Sequence, residues 1–352
     1  MTDTEVADTE GDVACPLRRG LPLGSPDRRR SSVDERFDAP DSPLLVEGAA
    51  LEKVATGAVW AEGPVWVPRR RAVRFSDIPN NRILEFSEHT GELSVFAEQV
   101  EFTNGRTLDR DGAVVECSHG RRAVQRDLGV GPADAHAPEV IVDRFGPHRL
   151  NSPNDVVVAS DGAIWFTDPS YGIKREDEGH PGEEEYGDRY VFRVDPDTAV
   201  AVPVVIDVEA PNGLAFSPDE SLLYVADSSL SPADRAEGED PSPRRPRGHS
   251  IHVYDVVEGR HAKNGWILTE VSPGLPDGIR VDVAGRLWSS SRSGIQVFSP
   301  DGQRLLDLPV PEKVGNLCFG GEDGQMLYVV ATTSLYRIAT TTRDGSATAA
   351  AR

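Results

Sequence analysis

A single phrase, repeated six times, constrains the fold of this chain more than any other feature. Its fullest copy runs from Leu150 to Gly172. Pro153-Asn154-Asp155 reads as a turn, Val156-Val157-Val158-Ala159 as an apolar strand and Ser160-Asp161-Gly162 as a tight reversal. Ala163-Ile164-Trp165-Phe166-Thr167 then reads as a second strand, closed by Asp168-Pro169. The phrase returns as Pro211-Asn212-Gly213-Leu214 with Leu223-Tyr224-Val225, and as Pro276-Asp277-Gly278-Ile279 with Leu287-Trp288. Weaker copies open at Ala61-Glu62-Gly63, Thr103-Asn104-Gly105 and Val314-Gly315-Asn316. The equivalent opening positions are Glu62, Asn104, Asn154, Asn212, Asp277 and Gly315, separated by 42, 50, 58, 65 and 38 residues. Periods of about 40 to 50 residues with four strands each are the mark of propeller blades.

Each repeat holds a second hairpin, with outer strands such as Arg82 to Phe86, Tyr190 to Val194 and Ile295 to Phe298. Almost no amphipathic helix pattern interrupts them. The pattern predicts an all-β protein, a six-bladed β-propeller over residues 46–340, with a disordered N-terminal arm (1–45) and a frayed tail (341–352). The arm is rich in Asp, Glu, Arg, Pro and Ser and carries no apolar period. The sixth repeat ends after three strands, so Leu51 to Thr56 is expected to supply its fourth and close the ring. Two insertions, 174–189 with seven acids against three bases and 229–250 with four of each, fall between second and third strands. In an up-and-down blade that connection rises over the face where the first strand begins, so both would form a rim there.

A formal charge of −21 excludes the basic face that nucleic acid or an anionic membrane requires. No apolar run reaches the roughly 20 residues of a spanning helix. The N-terminus has no signal-peptide pattern, and three cysteines stand at no metal-like spacing, so the expected setting is the reducing cytoplasm. A monomer or weak homo-oligomer is expected.

In a propeller the first strand of each blade lines the central channel. Glu62, Asn104, Asn154, Asn212 and Asp277 would therefore converge in one ring. The set is all oxygen donors, two carboxylates and amide carbonyls, which suits a hard divalent cation: Ca²⁺ first, with Mg²⁺, Mn²⁺ and Zn²⁺ as alternatives. Burying Glu62 and Asp277 without a counter-charge would be costly. Ends of second strands would add an outer shell of Asp77, His119, Asp168, Asp227, Ser290, Arg292 and Thr332. His119 is its candidate for neutral-pH proton transfer or substrate contact, and Asp168 and Asp227 are expected to orient the inner ring. No nucleophile elbow, phosphate loop or dinucleotide fingerprint is present.

These residues resemble the gluconolactonase, senescence-marker-protein-30 and luciferin-regenerating-enzyme family of six-bladed propellers. The resemblance covers Leu51 to Ile338 and rests on Glu62-Gly63-Pro64-Val65-Trp66, Asn104-Gly105, Ser118-His119-Gly120, Leu150 to Asp155, Pro211-Asn212-Gly213 and Pro276-Asp277-Gly278. It implies that Glu62, Asn212 and Asp277 ligate one divalent metal, with Asn154 completing the shell or touching substrate. The reading that follows is a metal-dependent hydrolase of a sugar-acid lactone such as gluconolactone. Asp277 would take a proton from water, while Asn104, Asn154 and His119 position the sugar hydroxyls. The same ring could serve a phosphotriesterase or aryl-ester lactonase, or a binding scaffold whose metal is only structural.

Overall fold

The structure, a computed structural model, describes residues 35–129, 135–229 and 248–346. Six antiparallel sheets stand around one axis, five of them formed by chain-consecutive strands. Blade 1 comprises Ala61–Val67, Ala72–Asp77, Arg82–Ser87 and Glu92–Glu98. Blade 2 follows with Thr103–Leu108, Val114–Ser118, Ala123–Asp127 and Glu139–Val142, and blade 3 with Val156–Val158, Ile164–Asp168, Tyr190–Val194 and Ala201–Val205. Blade 4 is Pro211–Phe216, Leu222–Asp227, Ser250–Val257 and His261–Glu270; blade 5 is Ile279–Val281, Leu287–Ser291, Gly294–Phe298 and Arg304–Pro309. Among the described residues helix is limited to the single turns Pro68–Arg70 and Tyr171–Lys174, and no helix is long and apolar enough to cross a membrane.

Blade 6 joins the two ends of the chain. Val314–Gly320, Met326–Ala331 and Ser334–Ala339 come from the C-terminal side, and Ala50–Thr56 pairs antiparallel with Ser334–Ala339 as the fourth strand. Closure therefore uses the segment expected from the sequence. A fifth strand, Glu35–Asp38, pairs outside it with Glu35 opposite Lys53 and Asp38 opposite Ala50.

Backbone pairing extends past the boundaries at 45 and 341 that composition suggests, at both ends of the described chain. Leu44 and Leu45 are buried, Leu45 bridges Thr340, and the Phe37 ring lies 6.2 Å from Tyr336. At the other end Asp344 bridges Asp282 and Gly345 N donates to Val281 O at 2.9 Å. Apolar contact and backbone pairing hold these segments although neither has a periodic pattern. The rest of the expected arm (1–34), the tail beyond 346 and most of the second insertion (230–247) lie outside the described residues.

Apolar layers pack blade against blade. Trp66 stacks on Tyr328 at 5.7 Å across the blade 6–1 junction, Trp165 meets Phe216 edge-on at 5.3 Å, and Trp288 meets Phe319 at 5.5 Å. Each pair sets an aromatic against a neighbouring blade, and rings of this size dominate the energetics of such layers.

Because ring closure depends on Ala50–Thr56, two truncations should differ. Deleting residues 1–34 should leave a soluble protein with a near-native melting temperature. Deleting 1–56 should expose the Ser334–Ala339 edge together with its apolar side chains and cause aggregation. The check is size-exclusion chromatography with thermal melting; equal behaviour of the two truncations would contradict closure by this strand.

Candidate active site

The inner strands reach the channel mouth through local irregularities. Register shifts fall between Glu62 and Val65, Thr103 and Arg106, Pro211 and Leu214, and Val314 and Asn316. In blades 3 and 5 the strands start only after Asn154 and Asp277. Bulges of this kind bend a strand and re-aim side chains. Asn104-Gly105 and Asn212-Gly213, which could read as turn dipeptides, therefore sit inside strands. Their glycines serve a contact: a Cβ on Gly63 would overlap Asn104 O, one on Gly105 would overlap Asn154 O, and one on Gly213 would overlap Asp277 O. Backbone bonds stitch the ring, Gly105 N to Asn154 O at 2.8 Å, Gly213 N to Asp277 O at 3.1 Å and Gly278 N to Gly315 O at 2.9 Å.

Glu62, Asn104, Asn154 and Asn212 are all buried, and Asp277 is recessed beside them. Glu62 accepts from Gly63 N at 3.1 Å. Burial, and then the Asp277 charge, push its carboxyl well above the usual range. Asp277 is pushed up to about 7 by burial, opposed by the Lys313 ammonium and a hydrogen bond from Asn212 and reinforced by Glu178 and Asp155. Two carboxylates so placed destabilise one another in the ionised form, and a cation between them would remove the conflict. Among the described residues no three His, Cys, Asp or Glu side chains form a metal cluster, so a cation here would have to draw on the asparagine amides. Oxygen donors of that kind fit a hard divalent ion.

His119 is fully buried, with both ring nitrogens engaged. Nδ1 lies 2.9 Å from Glu178 O, a carbonyl that can only accept, so Nδ1 carries the proton. Nε2 then accepts from the Asn104 amide at 3.3 Å. Burial lowers its pKa to about 4, so the ring is neutral at physiological pH.

The ends of the second strands share one task. Asp77 accepts from Val59 N at 2.8 Å, Asp168 from Asn151 N at 2.8 Å and Asp227 from Ala210 N at 3.1 Å. Ser290 Oγ accepts from Asp277 N at 2.8 Å. Each fixes the approach of its inner strand to the channel. Arg292 is exposed, with its backbone N bonded to Pro273 O, and Thr332 N bonds to Lys313 O.

Several residues at the mouth escape a reading by repeat position. Asn316, one place beyond Gly315, lies beside Glu62 and Asp155 and favours the ionised form of both carboxyls; the one-residue shift in its strand moves it into the ring. Asp155 meets Arg280 Nη1 at 3.4 Å. The Tyr171 hydroxyl is raised above its ordinary value by burial and then by Asp277 and Asp227. Lys313 lies 4.7 Å over the Trp60 ring. The first insertion does form a rim: Glu178 meets His119, and Tyr186 donates to Asp168 Oδ2 at 2.7 Å.

With this geometry established, comparison with known proteins is decisive. The SMP-30/Gluconolactonase/LRE-like region model matches residues 60–333. The chain belongs to that family. A gluconolactonase from Zymomonas mobilis is 32% identical, covering 97% of this chain and 93% of that protein. The solved structure of a gluconolactonase from Xanthomonas campestris superposes with a TM-score of 0.73 at 33% identity, covering 87% of this chain and 97% of that one. A calcium-binding regucalcin from Agrobacterium tumefaciens shares the fold at a TM-score of 0.64 and 14% identity, over 83% of this chain and 93% of that one.

Asp168 yields a pH prediction. Burial raises its carboxyl to about 7, against about 3.9 in an unfolded chain. The folded state therefore favours the proton, and this contribution to stability is full below pH 4 and is lost as pH rises through 7. Asp168→Asn removes the titration while keeping the shape. Melting curves from pH 5 to 8 should show a shallower decline for the variant than for the parent; parallel curves would refute the assignment.

Proposed function

We propose that this protein hydrolyses sugar-acid lactones of the gluconolactone kind, with one divalent cation, Ca²⁺ in first place, held at the channel mouth. The carrying observation is that Glu62 and Asp277, from blades 1 and 5, are close enough for the Asp277 charge to raise Glu62, with Asn316 beside Glu62 and Asn212 beside Asp277. The lactonase names of its high-coverage relatives support the substrate class. Glu62, Asn212 and Asp277, with Asn154, are the residues that would hold the cation. When bound it would polarise the lactone carbonyl and offset the negative charge that develops there.

Asp277 is the group we assign to water activation. Burial, reinforced by Glu178 and Asp155, keeps its carboxylate basic, so it can accept the proton of a water attacking the carbonyl carbon. The same carboxyl can then return that proton to the ring oxygen as the carbon–oxygen bond breaks. Asn104 and Asn154 orient the sugar hydroxyls through their amides. His119 acts through Asn104: with Nδ1–H committed to Glu178 O, its Nε2 fixes which way the Asn104 amide faces. Its acid/base role anticipated from sequence gives way in this proposal to positioning, since both nitrogens are occupied. Tyr171 and the Trp60–Lys313 pair border the opening, where an aromatic face and an ammonium suit a polyhydroxylated ring.

Turnover of glucono-lactone titrated with Ca²⁺, with metal content measured in parallel, separates the roles. Asp277→Asn should lose at least about 10²-fold in rate and stay impaired at saturating Ca²⁺. Asn212→Ala should lose activity mainly through cation affinity and recover in part with excess metal. Asn154→Ala should show its defect chiefly in KM. Full recovery of Asp277→Asn would make Asp277 a ligand only, and a chelator-insensitive parent enzyme would remove the cation from the proposal.

A further inference from the structure

One junction between blades is unlike the other five. Apolar clusters of ten or more buried residues fill the junctions of blades 2–3, 3–4, 4–5, 5–6 and 6–1. Between blades 1 and 2 the cluster shrinks to Val65, Val67, Leu108 and Val114. A seam of buried charge takes up the remainder, with Arg74, Arg106, Glu116 and Asp127 all at 3% exposure or less.

Arg106 is the hub of this seam. Its Nη1 donates to Gly63 O at 2.6 Å, and its Nη2 donates to Ser76 Oγ at 2.7 Å and Thr103 Oγ1 at 3.3 Å. Nε faces Glu116 Oε2 at 3.6 Å. Glu116 in turn accepts from Gln125 Nε2 at 2.7 Å and from His136 Nε2 at 2.6 Å. Both backbones that matter at the mouth are within this reach. Gly63, whose carbonyl Arg106 holds, gives its N–H to the Glu62 carboxylate. Ser76, which Arg106 also holds, donates to Asn104 O at 3.2 Å.

A buried ion pair seldom adds stability over well-packed apolar side chains, because desolvation offsets the attraction. A geometric role accounts better for a charged seam at the junction between Glu62 and Asn104. We propose that the Arg106–Glu116 pair is a positioning device for the site, setting Glu62 on blade 1 at a fixed distance from Asn104 on blade 2. Cation affinity and substrate affinity then depend on a pair that touches neither. The cation part of this inference rests on the function proposed above.

The test compares the parent with Arg106→Met/Glu116→Gln and with Arg106→Lys. The double variant removes both charges and leaves an amide for Gln125 and His136. Arg106→Lys keeps the charge but loses the planar fork that serves Gly63 O and Ser76 Oγ together. Melting temperature, Ca²⁺ affinity by titration calorimetry, and KM and kcat on glucono-lactone are read for all three. The double variant should melt within a few degrees of the parent, bind Ca²⁺ about 10-fold or more weakly, and show a raised KM with kcat largely retained at saturation. Arg106→Lys should fall between. Parental Ca²⁺ affinity and KM in a folded double variant would overturn the proposal, and should that variant not fold, parental values in Arg106→Lys would do the same. A parent that binds no Ca²⁺ would instead defeat the cation site, and an unchanged KM would still decide against the seam.

Discussion

Where six inner strands converge on one axis, neighbouring backbones approach so closely that a single methyl group does not fit between them. A Cβ on Gly63, Gly105, Gly213, Gly278 or Gly315 would collide with the next blade. This crowding explains why a polar residue followed by glycine opens most of the repeats. Glycine admits the neighbouring backbone, and the polar residue before it turns into the channel. Blades 3 and 6 depart from this, with Asp155 and Asn316 where the others carry glycine, and in blade 3 the side chain is absorbed by Arg280 and Asn316.

The chemistry follows from the same crowding. Carboxylates that would sit apart on an open surface are brought together in a recess, and burial raises each of them before their mutual repulsion is counted. Second-strand ends hold this arrangement by accepting backbone N–H groups at equivalent places in four blades. The first insertion adds a wall from outside the repeat and engages the one fully buried histidine at the mouth. An intrinsically unfavourable cluster is thus kept in place by the closed ring, which cannot relax one blade without disturbing its neighbours.

Much of this was legible in the residues alone. Apolar strands separated by Asp-Gly and Pro-Asp turns give an unambiguous period, and the missing fourth strand of the last blade pointed to Leu51 to Thr56. The ring of Glu62, Asn104, Asn154, Asn212 and Asp277 followed from repeat position. Other features left no periodic trace. Asn316 enters the ring through a one-residue shift that strand alternation does not encode. Glu35 to Leu45 and residues 342–346 are held by one short edge strand, isolated bridges and a few apolar contacts, which composition reads as loose chain. Glu178 sits in an acidic loop where nothing distinguishes it from Glu176 or Asp177. Arg106 and Glu116 look like ordinary polar positions on half-exposed strands, and only the packing of blade 2 on blade 1 reveals that they are buried.

The most direct test of the account is to locate the cation. Crystals grown with Ca²⁺ or soaked with Mn²⁺ allow the ion to be found by anomalous scattering, independently of activity. The account predicts one strong peak at the channel mouth, with side-chain oxygens of Glu62, Asn212 and Asp277 within roughly 2.6 Å. A featureless mouth, or an ion bound elsewhere in a protein that still hydrolyses lactone, would contradict it.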